Sequence, residues 1–231
     1  MVFPELAIPR RYVRTVRRLA QAHNAVVVAG VEYASESGWA TNAALVAIPA
    51  AERHPAALSR AFWVGKHHPS VPEHGLLTRH DIRFQGTRDF IVFDHPTVGR
   101  LGAVICYDLY AVETLVAFQG HVLHLVIPAY NRDLTTFDGL SDAAMRLLFA
   151  NVILANTGRF GGSLAVAPFY EAHDREMLRV RGQHIDTVEH LSVPLAQLEL
   201  AQRQPKWDGG PRDAPEPRPR RFKTKPADWP E

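Results

Sequence analysis

Short, nearly continuous apolar runs recur along the chain, each closed by a turn or a polar residue. The runs over 25–30, 42–48, 90–93, 121–127 and 152–155 are of this kind. Runs of this length without polar alternation predict strands buried on both faces. Two further strands are predicted over 164–168 and 191–195. Between the runs lie segments of helical spacing. Over 11–23, Val13, Val16, Leu19 and Ala20 share one stripe, and the arginines occupy the other face, read as solvated. Over 140–151, Ala144, Leu147, Leu148 and Asn151 are spaced to pack. A shorter helix over 111–118 stops at Gly120, a C-terminal cap. Turns are predicted at Ser35 to Gly38 and Pro96 to Gly99. Strands alternating with helices predict an α/β fold.

The stretch 98–113, Val-Gly-Arg-Leu-Gly-Ala-Val-Ile-Cys-Tyr-Asp-Leu-Tyr-Ala-Val-Glu, organises the rest. Leu101, Ala103, Val104 and Ile105 predict a buried strand that ends at Cys106, the one cysteine of the chain. With the helix over 111–118 and the run over 121–127 it makes a βαβ unit. The C-terminal end of a parallel strand faces the crevice where α/β sheets place ligands, and the N–H groups beyond it can face a developing negative charge. Cys106 therefore occupies a nucleophile's position, although a lone cysteine is by default a small buried hydrophobe.

The totals narrow the classes. A chain of 231 residues, 46% hydrophobic and 22% charged, has the make-up of a soluble globular protein with one large domain. The formal net charge is +2, and residues 205–231, with seven Lys/Arg and five Asp/Glu, account for it. A neutral body argues against a broad nucleic-acid footprint. One cysteine excludes a disulfide framework and Cys-rich zinc patterns, and fits a reducing, cytoplasmic setting. No apolar run reaches the ~18 residues of a membrane span, and no signal-peptide pattern is present. His67, His68, His74 and His80 offer no helical ligand pair, so they are read as rim or structural groups and no metal is expected. Seven of the 17 prolines fall in 205–231. That composition predicts a disordered, charged tail after a domain spanning 1–204.

Gly-Ala-Val-Ile-Cys-Tyr-Asp over 102–108, with Glu113 seven residues past the cysteine, resembles the nucleophile motif of the nitrilase (carbon–nitrogen hydrolase) superfamily. That family pairs its cysteine with an upstream Glu and Lys. Val2-Phe3-Pro4-Glu5-Leu6 resembles the strand end that supplies the base, which implies that role for Glu5. Phe62-Trp63-Val64-Gly65-Lys66-His67-His68-Pro69 resembles the family's lysine pattern, with Val64 where an aromatic is common. Glu73 matches a further Glu found after that Lys. Asn42 at the head of its strand and Gly161-Gly162-Ser163 are also similar to family features. So are Arg146 and Asn151, with Phe149-Ala150 at the usual position of a helix Glu.

Two departures stand out. Tyr110, Ala111 and Val112 replace residues that shape the pocket beside the nucleophile. The chain also opens without the strand and helix that the family carries before its base. An N-terminally truncated sandwich is therefore expected: a domain cut from a longer chain, a late start, or a sheet lacking a strand.

The resemblance covers about 2–195 and implies a four-layer α-β-β-α sandwich, usually a homo-oligomer joined through its outer helices. It implies hydrolysis of a small-molecule amide, less readily a nitrile, without a cofactor. A free thiol is only a few per cent thiolate at neutral pH. Glu5 would accept its proton, while Lys66 and the Tyr107 N–H would stabilise the charge built during attack, a donor of this kind being worth ~10²–10³ in rate. Glu5 would then protonate the leaving amine and activate water against the thioester. Glu73 would orient the substrate or Lys66. Tyr107, Tyr110, Tyr130 and Asn131 are the expected substrate-binding wall, with Phe137 nearby.

A rival reading is a non-catalytic nitrilase-like module of a larger multidomain protein, binding a partner or sensing a ligand beside an upstream domain. The departures favour it, and a complete Glu-Lys-Cys set argues against it. A papain-like Cys–His hydrolase is a poor fit, because the basic residue precedes the Cys.

Overall fold

The computed structural model describes residues 1–50, 58–203, 222–226 and 229. Its first sheet runs β1 (Val2–Ile8), β2 (Val27–Glu36), β3 (Trp39–Ile48), β4 (Arg60–Gly65), with β5 (Arg83–Phe84) parallel to β3. The β1–β2 pair is parallel, and β3 runs antiparallel to both β2 and β4. Ser37 and Gly38, with φ of 51° and 80°, close the β2–β3 hairpin, since a two-residue turn with positive φ matches strand twist.

Alternation along these strands serves two cores. Val27, Ala29, Val31, Leu45 and Ala47 meet Val16 and Ala20 of helix α1 (Val13–Ala22). Val28, Ala44, Val46 and Val64 turn to the larger core shared with the second sheet.

The second sheet runs β11 (Glu176–Arg179), β10 (Leu164–Val166), β9 (Asn151–Asn156), β8 (His124–Ala129), β7 (Gly99–Ala103), β6 (Val92–His95). Its three central strands are parallel. Helices α3 (Val112–Phe118) and α4 (Leu134–Leu148) cover it, and Phe118, Phe137, Ala144, Met145 and Leu148 join the large core. The layers are helix, sheet, sheet, helix: the expected α-β-β-α sandwich. The remaining described α-helices are α2 (Val71–Arg79) and α5 (Leu195–Arg203). Among the described residues no helix is long and apolar enough to cross a membrane.

Several local expectations need correction. Helix α4 starts at Leu134, where the Asp133 side chain accepts from Thr136 N, rather than at 140. It ends before Phe149, whose left-handed φ of 51° turns the chain, so Asn151 opens β9 instead of closing a helix. Asn42 stands fourth in β3 rather than at its head, because the hairpin zips down to Trp39. The run over 90–93 pairs only from Val92. The segment 191–195 is no strand; Leu195 begins α5, whose Leu198 packs with Leu123 and Phe169. Arg17 is not on a solvated face, since it gives two hydrogen bonds to Ser59 O (3.0 and 2.7 Å), whereas Leu19 is exposed. Residues 205–221, 227, 228, 230 and 231 of the expected tail lie outside the described residues. Its Phe222, by contrast, is buried and stacks on Phe169, and Lys223 N bonds Pro168 O.

Candidate active site

Glu5 reaches the interior because β1 leaves regular pairing around it. Phe3 pairs Ala29 and Ile8 pairs Val31, so five steps along β1 span only two along β2, with Leu6 at a left-handed φ of 58°. Gly30 makes this possible: a Cβ there would strike the Glu5 Cα and the Pro4 carbonyl. The Glu5 side chain is 4% exposed. Its Oε1 accepts from Lys66 Nζ (2.8 Å) and Asn42 Nδ2 (2.6 Å), and its Oε2 accepts from Tyr130 N (3.1 Å).

Lys66 follows β4, its N–H bound to Asn42 O, and its ammonium is 2% exposed between Glu5 and Glu73 Oε2 (2.6 Å). Burial alone would push its pKa down. The two carboxylates outweigh burial and hold it above the ordinary lysine value, so Lys66 stays an ammonium. Glu73 sits in the first turn of α2, in a capping box with Ser70. Burial pushes its carboxyl up, but Lys66, Tyr33 and the Ser70 N–H together bring it below the usual range. The Tyr33 hydroxyl donates to Glu73 Oε1 at 2.5 Å.

Cys106 opens a 3-10 turn, Cys106–Tyr110, with φ of 46°. A non-glycine residue in that region costs about 1–3 kcal/mol and persists only where its surroundings impose it. The turn is tied to the lysine loop by Asp108, a buried carboxylate that accepts from His67 N (3.0 Å) and His68 N (2.8 Å). Glu5 and Lys66 lie near enough to Cys106 for both of their charges to act on its thiol. Burial and the Glu5 charge push the thiol's pKa up against the opposing pull of Lys66, so the sulfur rests as a neutral thiol.

The chain superposes on a CN-hydrolase superfamily protein of Xanthomonas campestris that carries an arsenic adduct in its active site, with a TM-score of 0.61 and 15% identity over 87% of this chain and 79% of that one. An amidase from Nesterenkonia sp. superposes with a TM-score of 0.56 and 18% identity, over 78% of this chain and 73% of that one. Nit3 of Saccharomyces cerevisiae, a member of branch 10 of the nitrilase superfamily, gives 0.55 and 15%, over 72% and 68%. The chain shares the fold of the carbon–nitrogen hydrolase superfamily. By sequence, no family model and no curated protein matches it.

Within this nitrilase-type fold, Glu5, Lys66, Glu73 and Cys106 converge, and the remaining expected residues divide. The Tyr107 and Tyr110 rings lie 4.9 Å apart and tilted, and Tyr110 meets Phe137 edge-on, so the cysteine turn carries one aromatic cluster. Tyr130 contributes its backbone to Glu5, while its ring lies against Phe160 and its hydroxyl accepts from Arg159 (3.3 Å). The Asn131 side chain is spent on Asp133, and its backbone is held on both sides by Asn156. That makes Asn131 a brace for the loop rather than a free group of the wall. Glu113 is exposed at 62%, 3.4 Å from His68 and apart from the buried cluster. Arg146 pairs on the surface with Asp142. Sequence reasoning missed Tyr33 and Asn156. The irregular pairing that aims Tyr33 leaves no mark in the hydrophobic pattern, while Asn156 at a strand end was a visible signal. Among the described residues no group of three or more His, Cys, Asp and Glu is arranged to hold a metal ion.

Proposed function

We propose that the chain hydrolyses a small-molecule amide through a thioester on Cys106. The observation that carries this reading is the buried ammonium of Lys66 held between Glu5 and Glu73, with Cys106 near enough for the Glu5 and Lys66 charges to act on its thiol. A purely structural module has little reason to bury two carboxylates and an ammonium around a thiol, because desolvating them is costly.

In this mechanism Glu5 takes the Cys106 proton as sulfur attacks the amide carbon. The oxyanion forms against the Lys66 ammonium and the Tyr107 N–H. Glu5 returns the proton to the departing nitrogen, and ammonia or an amine leaves behind a thioester. Glu5 next deprotonates water, which attacks the thioester carbon. The C–S bond breaks, the acid is released and the thiol regains its proton. Glu73 holds Lys66 charged and in place throughout. The similarity to an amidase favours an amide over a nitrile.

The test is incubation with a panel of small amides and nitriles, reading released ammonia and the intact mass of the protein. The expected result is ammonia from an amide and an acyl adduct that is absent in Cys106→Ala. Neither ammonia nor adduct from any member of the panel would leave the non-catalytic module as the better reading.

A further inference from the structure

The β2–β3 hairpin carries one irregularity, and it falls beside the site. Val31 pairs Ala43 and Ala34 pairs Thr41, so Glu32 and Tyr33 together oppose Asn42. A bulge of this kind re-aims the side chains around it. Before it, Val27, Ala29 and Val31 face α1 while Val28 faces the second sheet. Regular alternation would therefore send residue 33 toward the α1 side, since a one-residue shift exchanges the two faces. With the extra residue, Glu32 turns out and accepts from Arg10 N (2.7 Å), and the Tyr33 hydroxyl reaches Glu73. Asn42, opposite the bulge, donates to Glu5. One irregularity thus aims a donor at each of the carboxylates that flank Lys66.

We propose that Tyr33 is a positioning residue for the reaction, acting through Glu73 on Lys66; this rests on the hydrolase reading of the site. Glu73 divides its two oxygens. Oε2 accepts from Lys66 Nζ (2.6 Å) and from Ser70 N (3.0 Å), and Oε1 accepts from the Tyr33 hydroxyl. The side chain is 8% exposed, so water is a poor substitute for a lost donor. Tyr33 stands on a hydrogen-bonded strand pair, which fixes the direction from which its phenol approaches. It thereby holds the carboxylate plane so that the other oxygen meets the ammonium. The groups facing Glu73 are Tyr33 from β2, Lys66 from the end of β4 and the Ser70 N–H of its own helix, with Glu5 and Cys106 beyond the ammonium. Removing the phenol hydroxyl takes away one of the interactions that favour the ionised carboxylate, so the acid limb of the pH profile moves up.

The experiment compares the native chain with Tyr33→Phe on an amide that the native chain turns over. The variant is expected to lose about tenfold in kcat/KM, mainly in kcat, the size of one hydrogen bond to a charged group, with its acid limb shifted to higher pH. A chain labelled with 3-fluorotyrosine supplies a second readout. The resonance missing from Tyr33→Phe belongs to Tyr33, and it should move in Glu73→Gln and stay in place in Glu113→Gln. An active native chain with an unchanged Tyr33→Phe profile overturns the role alone, and a native chain that turns over no amide overturns the hydrolase reading and the role together. Should Tyr33→Phe melt early, the fluorine readout decides, and a resonance that ignores Glu73→Gln overturns the proposal.

Discussion

The two sheets deliver groups to one site by opposite means. In the second sheet, β7, β8 and β9 pair in unbroken parallel register, and the groups stand where strands end: Cys106 beyond β7, Tyr130 beyond β8 and Asn156 at the close of β9. In the first sheet the strands are bent to the task. Glu5 comes from the stretch where β1 loses its register, Asn42 and Tyr33 face each other across a bulge, and Lys66 follows β4. A nucleophile needs only a strand end and a tight turn, which regular pairing supplies. Two carboxylates and an ammonium must be turned into the interior together, and alternating strands do not present them that way. The first sheet therefore couples its charges to the fold, whereas the second mostly does not.

The sharpest way to break this contrast is to remove one charge from the first sheet and one reactive group from the second. Lys66→Met leaves Glu5 and Glu73 buried without their cation, and unpairing such a group costs about 3–5 kcal/mol. The loss should shrink on acidification as the carboxylates take up protons. Cys106→Ala removes one small buried atom from the second sheet and should cost on the order of 1 kcal/mol. Urea unfolding at neutral pH reads both. Equal losses in the two variants would mean that the charge cluster is not coupled to the fold in this way.

The same contrast explains what the sequence disclosed. The parallel centre was legible because its strands are continuous apolar runs, and the βαβ unit around Cys106 followed from 98–127 with small errors at its ends. Glu5, Lys66 and Glu73 were reachable only through resemblance to a family, since an isolated Glu or Lys has no periodicity to mark it. Tyr33 was not reachable at all. Its direction depends on an extra residue opposite Asn42, and the number of residues between pairing partners is a property of two strands, not of one pattern. Helix α4 begins earlier than its apolar pattern predicts, because its first stripe of Leu134, Phe137 and Ser141 mixes polar and apolar types and its start is set by the Asp133 cap.

The second sheet has one titratable group of its own in the core, and it predicts a separate acid response. His124 in β8 accepts at Nδ1 from Asn151 Nδ2 (3.2 Å) and is buried in the core. Burial pushes its pKa down to about 4, against 6.5 for a free imidazole. The unfolded chain therefore binds a proton that the folded chain refuses, so stability is full above 6.5 and is lost as pH falls toward about 4. The loss amounts to about 3 kcal/mol. Glu73 responds later: held below its ordinary 4.5, it gives up stability only as pH drops beneath that value. Melting temperatures across pH should show both phases, and His124→Gln should flatten the first and leave the second. A single transition unaffected by that substitution would mean that the second sheet carries no acid-sensitive group.

The smallest effect tests what fastens α2 to the first sheet. The Ser70 side chain accepts from Glu73 N (3.3 Å), while Ser70 N donates to Glu73 Oε2. Ser70→Ala deletes the first bond and keeps the second, because the second is made by the backbone. The expected cost is that of a lost cap, about 1 kcal/mol. That is well short of the loss predicted for Lys66→Met, since the ammonium still grips Glu73 from the sheet side. If Ser70→Ala unfolds as readily as Lys66→Met, α2 is held by its cap, and the charge pair merely rides on a helix placed by other means. If the two losses keep their order, the pair itself pins the helix to the sheet.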